Sequence, residues 1–234
     1  MHLTGINAII ALTIIKKIPY KNLLYPSIVM GIFLPEIDII ISFLINNLKI
    51  NTSIRFLENT YTHSLFTIIG IYLSILIFTE IKKIKFNSNI AQGIVIGLIL
   101  HIFIDIFIKL KNVHVLWPLP IGYIHLSPFF SMPDELVKIL MPFEFLCFRL
   151  YGWILIKRSI DYRISLNFFL KYISWWMKGE SILFILFLTI FQQLEIKLFN
   201  YIFIIAYIPS LIMAMLSTYF MYKSINFNFN KSLK

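Results

Sequence analysis

Seven long apolar runs constrain the fold of this chain more than any other feature. A membrane-spanning helix needs about 20 apolar residues, so most of the runs can cross a bilayer, while the first and the sixth are short. Because the runs are continuous rather than alternating, they predict helices and not the strands of a β-barrel. We predict an all-α fold, a polytopic transmembrane helical bundle with six or seven membrane segments. The runs lie at about residues 3–15, 22–46, 63–79, 90–108, 139–156, 181–193 and 199–222.

The composition indicates the same solvent. Of the 234 residues, 59% are hydrophobic and 14% are charged, whereas charged residues make up about a quarter of a soluble domain. Too few polar side chains are present to cover a water-soluble surface. We predict a single integral membrane domain over residues 1–234. Within it, residues 1–130 carry the polar motifs described below, and residues 131–234 supply further membrane helices.

The net charge of +10 is distributed as in membrane flanks. Lysine and arginine form four clusters between apolar runs, at residues 16–21, 82–85, 157–178 and 223–234. A nucleic-acid-binding protein groups such residues on one soluble face, so we predict the lipid bilayer and no nucleic acid as the partner. Seven crossings place all four clusters on the cytoplasmic side, with the N-terminus outside and the C-terminus cytoplasmic. The predicted location is the bacterial inner membrane.

Several ionisable residues lie within or at the ends of the apolar runs. A charged group at the centre of a bilayer costs about 2.5–3.5 kcal/mol, so each needs a compensating partner. With the N-terminus outside, all but the last of these residues fall at a similar depth on the same side, and we predict that the first six form one polar cluster. The residues are His2, Glu36, Asp38, His63, His101, Asp105 and Glu144.

The stretch "GLILHIFIDIFI", residues 97–108, shows the chemistry of this cluster most clearly. His101 and Asp105 are four residues apart and share one face of a helix. Imidazole and carboxylate are ligands for Zn²⁺, and also for Mn²⁺ or Fe²⁺, and a bound cation would offset the buried carboxylates. The predicted cofactor is therefore a divalent metal, with zinc as the expected ion. The predicted ligands are His63, His101, Asp105 and Asp38, with His2 as a further candidate.

The carboxylates of Glu36 and Asp38 are the predicted catalytic groups, with Glu36 as the base. In a regular helix, side chains two residues apart point about 200° apart, so only one of them would face the cluster. A break at Pro35 would allow both to do so. The stretch "NTYTHSLF" predicts a helix start in which Thr60 or Thr62 caps the helix and His63 lies in its first turn.

These motifs, in this order, resemble the membrane-bound metal-dependent hydrolase family, which includes the YdjM-like inner-membrane proteins described as LexA-binding. The resemblance covers about residues 1–120 and rests on an N-terminal His and on the stretches "LPEID" (34–38), "THS" (62–64), "GLILHIFIDIF" (97–107) and "LWP" (116–118). Where the family has the first Asp of a pair, this chain has Glu36. The resemblance implies a metal site that uses His2, Asp38, His63, His101 and Asp105.

The leading hypothesis for function is metal-assisted hydrolysis within the membrane, with a phosphoester or lipid as substrate. The first alternative is an ion, proton or small-solute transporter, in which the same cluster binds and releases its ligand without breaking a bond. The second is a structural or regulatory membrane protein in which the cluster serves packing alone. The sequence has no Gly-rich phosphate loop, no G-x-S-x-G motif and no H-E-x-x-H motif, so it does not favour P-loop, serine-hydrolase or zincin chemistry.

Overall fold

All the regular structure in the computed structural model is helical within the residues that it describes, which are 4–18, 21–47, 62–81, 88–108, 115–119, 133–161 and 167–225. Short 3₁₀ turns cover 15–17, 34–36 and 191–193. The α-helices are α1 (Thr4–Ile14), α2 (Leu24–Phe33), α3 (Ile37–Asn47), α4 (Leu65–Ile81), α5 (Ser88–Ile108), α6 (Asp134–Leu140), α7 (Phe143–Asp161), α8 (Asn167–Thr189), α9 (Ile196–Phe220) and α10 (Tyr222–Ile225).

Each predicted apolar run is largely helical, and within the described residues four helical stretches are long and apolar enough to cross a membrane. These are Leu24–Ile45, Ser88–Phe107, Asp134–Asp161 and Ile196–Phe220. The helices Thr4–Ile14 and Leu65–Ile81 are apolar but shorter. The all-α membrane fold is therefore confirmed, while the number of crossings, six or seven, stays a prediction.

Helix α8 differs from the predicted sixth run. The chain forms one helix from Asn167 to Thr189, although the sequence predicts a separate apolar segment that begins at residue 181. Lys178 and Glu180 lie just before this predicted segment and interrupt the apolar pattern. An α-helix can nevertheless contain charged residues along its length. Glu180 is itself buried.

Glycines bring α2 and α5 into close contact. A Cβ atom on Gly97 would overlap the backbone carbonyl oxygen of Ile28, and one on Gly93 would lie 2.6 Å from the Cβ atom of Ser27. Gly31 on α2 approaches the backbone of Ile94 in the same way. Small residues allow helix backbones to pack closely in a membrane, where the hydrophobic effect does not hold helices together. The two helices run in the same direction, since the later glycine of α5 meets the later residue of α2.

Helix α7 contacts both ends of α1. The backbone N–H of Gly5 donates a hydrogen bond to Glu144 Oε1. At the other end, Arg158 Nη2 donates to the Leu12 carbonyl oxygen over 3.2 Å. The hydrogen bond from Gly5 satisfies a backbone N–H of the first turn of α1, and a cationic group such as Arg158 is favoured by the helix dipole at the other end. These contacts fix α1 along α7 in a parallel arrangement.

Aromatic side chains fill the core between α7, α8 and α9. Phe187 of α8 packs edge-on against Phe203 of α9 with ring centroids 5.5 Å apart, and Phe145 of α7 lies 5.1 Å from the same ring. All three side chains are fully buried. Residues of this core and of α1 and α2 form one continuous buried cluster.

Candidate metal centre

Two histidines and one aspartate form the centre of the predicted polar cluster. His101 and Asp105 lie in the second half of α5, and His63 lies in the turn before α4. The Asp105 Oδ2 atom is 2.9 Å from His101 Nε2 and 3.0 Å from His63 Nε2. The two Nε2 atoms are 3.3 Å apart. All three residues are at most 2% exposed, so the structure brings them together inside the protein.

The outer nitrogen of His63 is engaged by Thr62 and Asp38. Thr62 Oγ1 donates its proton to Asp38 Oδ2 over 2.9 Å and lies 2.9 Å from His63 Nδ1. A hydroxyl has one proton to donate, so Thr62 accepts from the Nδ1–H of His63. In a neutral imidazole, protonation of Nδ1 leaves a lone pair on Nε2, which is the atom that faces His101 and Asp105.

This arrangement directs acceptor atoms at one another. With Nδ1 of His63 protonated, its neutral Nε2 presents a lone pair to a carboxylate oxygen, which is also an acceptor. A cation between these ligand atoms would remove the repulsion. His63, His101 and Asp105 are a buried group whose ligand atoms all lie within 4.8 Å of one another, and it can hold a metal ion.

The separations suit a small tetrahedral ion. When metal–ligand distances are about 2.0–2.1 Å, two ligands of a tetrahedral ion lie roughly 3.3 Å apart. The observed separations of 2.9, 3.0 and 3.3 Å are close to this value. Two imidazole nitrogens and one carboxylate oxygen also match a donor set that zinc accepts. The residues present therefore fit a bound divalent metal.

Both predicted catalytic carboxylates face this centre. Glu36 Oε1 is 3.5 Å from His101 Nε2, and Asp38 Oδ2 is 4.0 Å from His63 Nδ1. Residues Leu34–Glu36 form a 3₁₀ turn between α2 and α3. Three residues per turn bring side chains two residues apart to within about 120° of each other, closer than in an α-helix. Glu36 ends this turn and Asp38 lies in the first turn of α3, so the change of helix type near Pro35 lies between the two carboxylates that approach the two imidazoles.

His2 lies outside the described residues, so its place stays a prediction. Helix α1 begins two residues later, at Thr4. The Asn7 side chain of α1 is 3.5 Å from His101 Nδ1. The first turns of α1 are therefore beside the metal centre.

The start of α4 differs from its predicted position. The helix begins at Leu65, so His63 lies before the first turn and not within it. Ser64 Oγ accepts a hydrogen bond from the Phe66 N–H over 3.2 Å and donates to the Trp117 carbonyl oxygen. Of the two predicted caps, Thr60 lies outside the described residues, and the prediction of Thr62 was wrong because its hydroxyl contacts Asp38 and His63.

Sequence reasoning missed Asn7 and underestimated Thr62. Thr62 stands directly beside His63, and a hydroxyl next to a predicted ligand is a signal that could have been used. Asn7 carries no such signal, because it contacts His101 from 94 residues away.

A helical membrane protein with a buried histidine–aspartate group able to hold a metal ion is the class that this fold and site define. The chain belongs to the YdjM inner membrane protein family, whose model matches residues 2–221. The family resemblance and the inner-membrane location are thereby confirmed. Comparisons with curated proteins and with solved structures find no match.

Proposed function

We propose that this protein is a metal-dependent hydrolase of the inner membrane, with zinc as its ion and a phosphoester, such as that of a lipid headgroup, as its substrate. One observation carries the proposal. Two imidazole nitrogens and a carboxylate oxygen converge within 3.3 Å of one another in a buried site. Burying such a group for stability alone brings little gain, because desolvation offsets the attraction between charges.

His63, His101 and Asp105 would hold the ion in this proposal. A bound divalent metal supplies Lewis acidity and lowers the pKa of a coordinated water. Glu36 is the proposed base, because its carboxylate reaches to 3.5 Å from His101 Nε2 and can accept a proton from a water in the same space. The burial of Glu36 excludes bulk water from this proton transfer.

Asp38 supports His63 through Thr62. The hydrogen-bonded chain Asp38–Thr62–His63 orients the imidazole and holds its proton on Nδ1. Such outer partners commonly fix metal-binding histidines. Asp38 would have to leave this contact to become a ligand itself, so we propose orientation as its first role. His2 is the proposed further ligand, since α1 begins at the site.

The metal content of the purified protein tests the site. We expect elemental mass spectrometry to find about one zinc per chain in the wild type. His101→Ala and Asp105→Asn should lose it. Asp161→Asn is the matched control, because Asp161 is exposed at the end of α7 and should retain the metal. A wild-type protein without metal after reconstitution with zinc would overturn the proposal.

Glu36→Gln separates hydrolysis from transport. We expect this variant to keep its zinc and to lose about 10²–10⁴-fold in the rate of phosphoester hydrolysis, which is the usual contribution of a general base. Hydrolysis at the wild-type rate would exclude Glu36 as the base. Movement of zinc or protons across a proteoliposome membrane without any hydrolysis would support the transporter alternative instead.

We further infer that the chain makes seven crossings with its N-terminus outside. The support is the position of the four basic clusters, which follow the first, third, fifth and seventh apolar runs. Single cysteines placed at residues 56 and 84 in a Cys147→Ser background test this topology. A membrane-impermeant thiol reagent should label position 56 in intact cells and position 84 only after lysis, and the reverse result would overturn the orientation.

A further inference from the structure

We propose that Asn7 is a positioning residue for His101 and that it accepts a hydrogen bond from the Nδ1–H of this imidazole when the metal is bound. The inference rests on the proposed metal site. Asn7 is fully buried in α1. Its carboxamide nitrogen is 3.5 Å from His101 Nδ1, and its carboxamide oxygen is buried without a hydrogen-bond partner among the described residues.

The chemistry of a metal-bound imidazole assigns the direction of this bond. If Nε2 of His101 offers its lone pair to the ion, the ring is neutral and Nδ1 carries the proton. The carboxamide group must then present its oxygen, because an NH₂ group cannot accept from an N–H donor. A half-turn about the terminal bond of Asn7 exchanges the nitrogen and the oxygen. The same rotation gives the buried oxygen of Asn7 the partner that it lacks.

The contacts of α1 hold Asn7 at the required place. Glu144 accepts from the Gly5 N–H at the start of the helix, and Arg158 donates to the Leu12 carbonyl oxygen near its end. A Cβ atom on Gly5 would lie only 2.9 Å from the Cβ atom of Cys147 on α7. Helix α1 therefore cannot slide or rotate freely, and α7 in effect sets the position of Asn7 against His101.

The two histidines of the centre are thus supported in different ways. His63 is oriented by Thr62, its neighbour in sequence, and by Asp38. His101 is oriented across 94 residues by a helix that supplies none of the three central ligand atoms. This assigns the second half of the chain a role in the site, because α7 holds the helix that carries Asn7.

Zinc affinity in matched variants tests the inference. The full-length protein in detergent is titrated with zinc against a chelating dye, as wild type, Asn7→Leu, Asn7→Asp and Asn200→Leu. We expect Asn7→Leu to bind zinc about 10–100-fold more weakly, the usual effect of losing an outer partner of a ligand. Asn7→Asp keeps an acceptor and should bind nearly as tightly as the wild type. Asn200→Leu removes a carboxamide from α9 and should leave affinity unchanged. The oxygen of this carboxamide also has no hydrogen-bond partner within the part of the chain that the structure describes.

A purely structural role for Asn7 would give a different result. In that case, Asn7→Leu and Asn7→Asp would both lower the thermal stability of the metal-free protein, and zinc affinity would not follow the presence of an acceptor. If Asn7→Leu fails to fold, Asn7→Ala removes the acceptor with less added bulk and replaces it in the same titration.

The outcomes distinguish the inference from the proposal beneath it. Zinc binding by Asn7→Leu at wild-type affinity would overturn the role of Asn7 and leave the metal site intact. Failure of the wild type to bind zinc would overturn the metal site, and the role of Asn7 with it. Weaker binding in Asn7→Leu that is restored in Asn7→Asp would support both.

Discussion

The contact between α2 and α5 and the contact between α7, α8 and α9 solve the same packing problem in opposite ways. In the first, glycines let two backbones touch, as where Gly97 meets Ile28. In the second, large rings fill the space between the helices, as where Phe187 meets Phe203. Packing at glycines allows a short distance between helix backbones, whereas packing of aromatic rings buries a large apolar area.

The candidate metal centre is associated with the glycine contact between α2 and α5. His101 and Asp105 follow Gly97 along α5, and Glu36 follows Gly31 along the chain from α2. A metal site requires its ligands to be held to within about 0.5 Å. Backbone-to-backbone contact defines the separation of two helices more sharply than flexible side chains do. The comparison teaches that the contact that sets the spacing of α2 and α5 differs in kind from the contact that fills the aromatic core.

The largest effect on stability is expected from the aromatic region. Phe203→Ala removes a fully buried ring that contacts Phe145, Phe187 and Tyr207. We expect it to lower the free energy of unfolding by about 3–5 kcal/mol, the usual cost of a large cavity. Zinc affinity, measured at a temperature where the variant is folded, should stay near that of wild type. A matching loss of affinity would show that the two regions are not separable.

An intermediate effect is expected from the glycine region. In Gly97→Ala the new methyl group would overlap the carbonyl oxygen of Ile28, so α2 and α5 must move apart. We expect a loss of about 1–3 kcal/mol in the free energy of unfolding, typical of overpacking. Zinc affinity should fall as well, because α5 carries His101 and Asp105, and its displacement moves both of them relative to His63. Thermal unfolding and zinc titration of the same sample measure both effects.

Gly70→Ala is the control for this substitution. Gly70 lies within α4, and a Cβ atom there would meet no atom of another described residue within 4 Å. Alanine is favoured over glycine inside a helix by up to about 1 kcal/mol. We expect this variant to be as stable as wild type or slightly more so, with unchanged zinc affinity. A loss in Gly70→Ala equal to that in Gly97→Ala would refute the argument from close contact.

The smallest effect is expected from Gly152→Ala, which makes the same change in the aromatic region. Its Cβ atom would lie 3.0 Å from Met177 Cγ and 3.2 Å from Trp176 Cζ3. Both neighbours are side-chain atoms, and methionine adapts readily to a changed space. We expect a change of less than about 1 kcal/mol in the free energy of unfolding. A loss larger than that of Gly97→Ala would mean that side chains here are as rigid as backbone.

The helices and the proximity of His101 to Asp105 could be predicted from sequence because their signals are local. Each apolar run predicts its own helix. The spacing of four residues between His101 and Asp105 indicates that they share one face of a helix. The order of the basic clusters then places His63 near them. The 3₁₀ turn at Pro35 also has a local cause. The sequence therefore allowed the prediction that Glu36 and Asp38 both face the cluster if the helix breaks at this proline.

The remaining features depend on contacts between distant residues. Asn7 is one polar residue in an apolar run until α7 places it beside His101. The length of α8 could not be predicted, because Lys178 and Glu180 interrupt the apolar pattern but do not interrupt the helix. The start of α4 was misplaced because the hydroxyl of Thr62 can serve either a backbone or a side chain. Only the tertiary structure determines which of these possible hydrogen-bond partners the Thr62 hydroxyl contacts.

The two-ended attachment of α1 to α7 also has a consequence for the order of synthesis. The predicted ligands of the centre are complete once residue 105 has emerged, yet Glu144 and Arg158, which hold α1, are made later. Protein chains fold from the N-terminus as they are made. The nascent protein must therefore carry an unfinished site in the membrane until α7 has inserted. A chain that ends at residue 130 would contain every predicted ligand and still lack the helix that puts Asn7 in place.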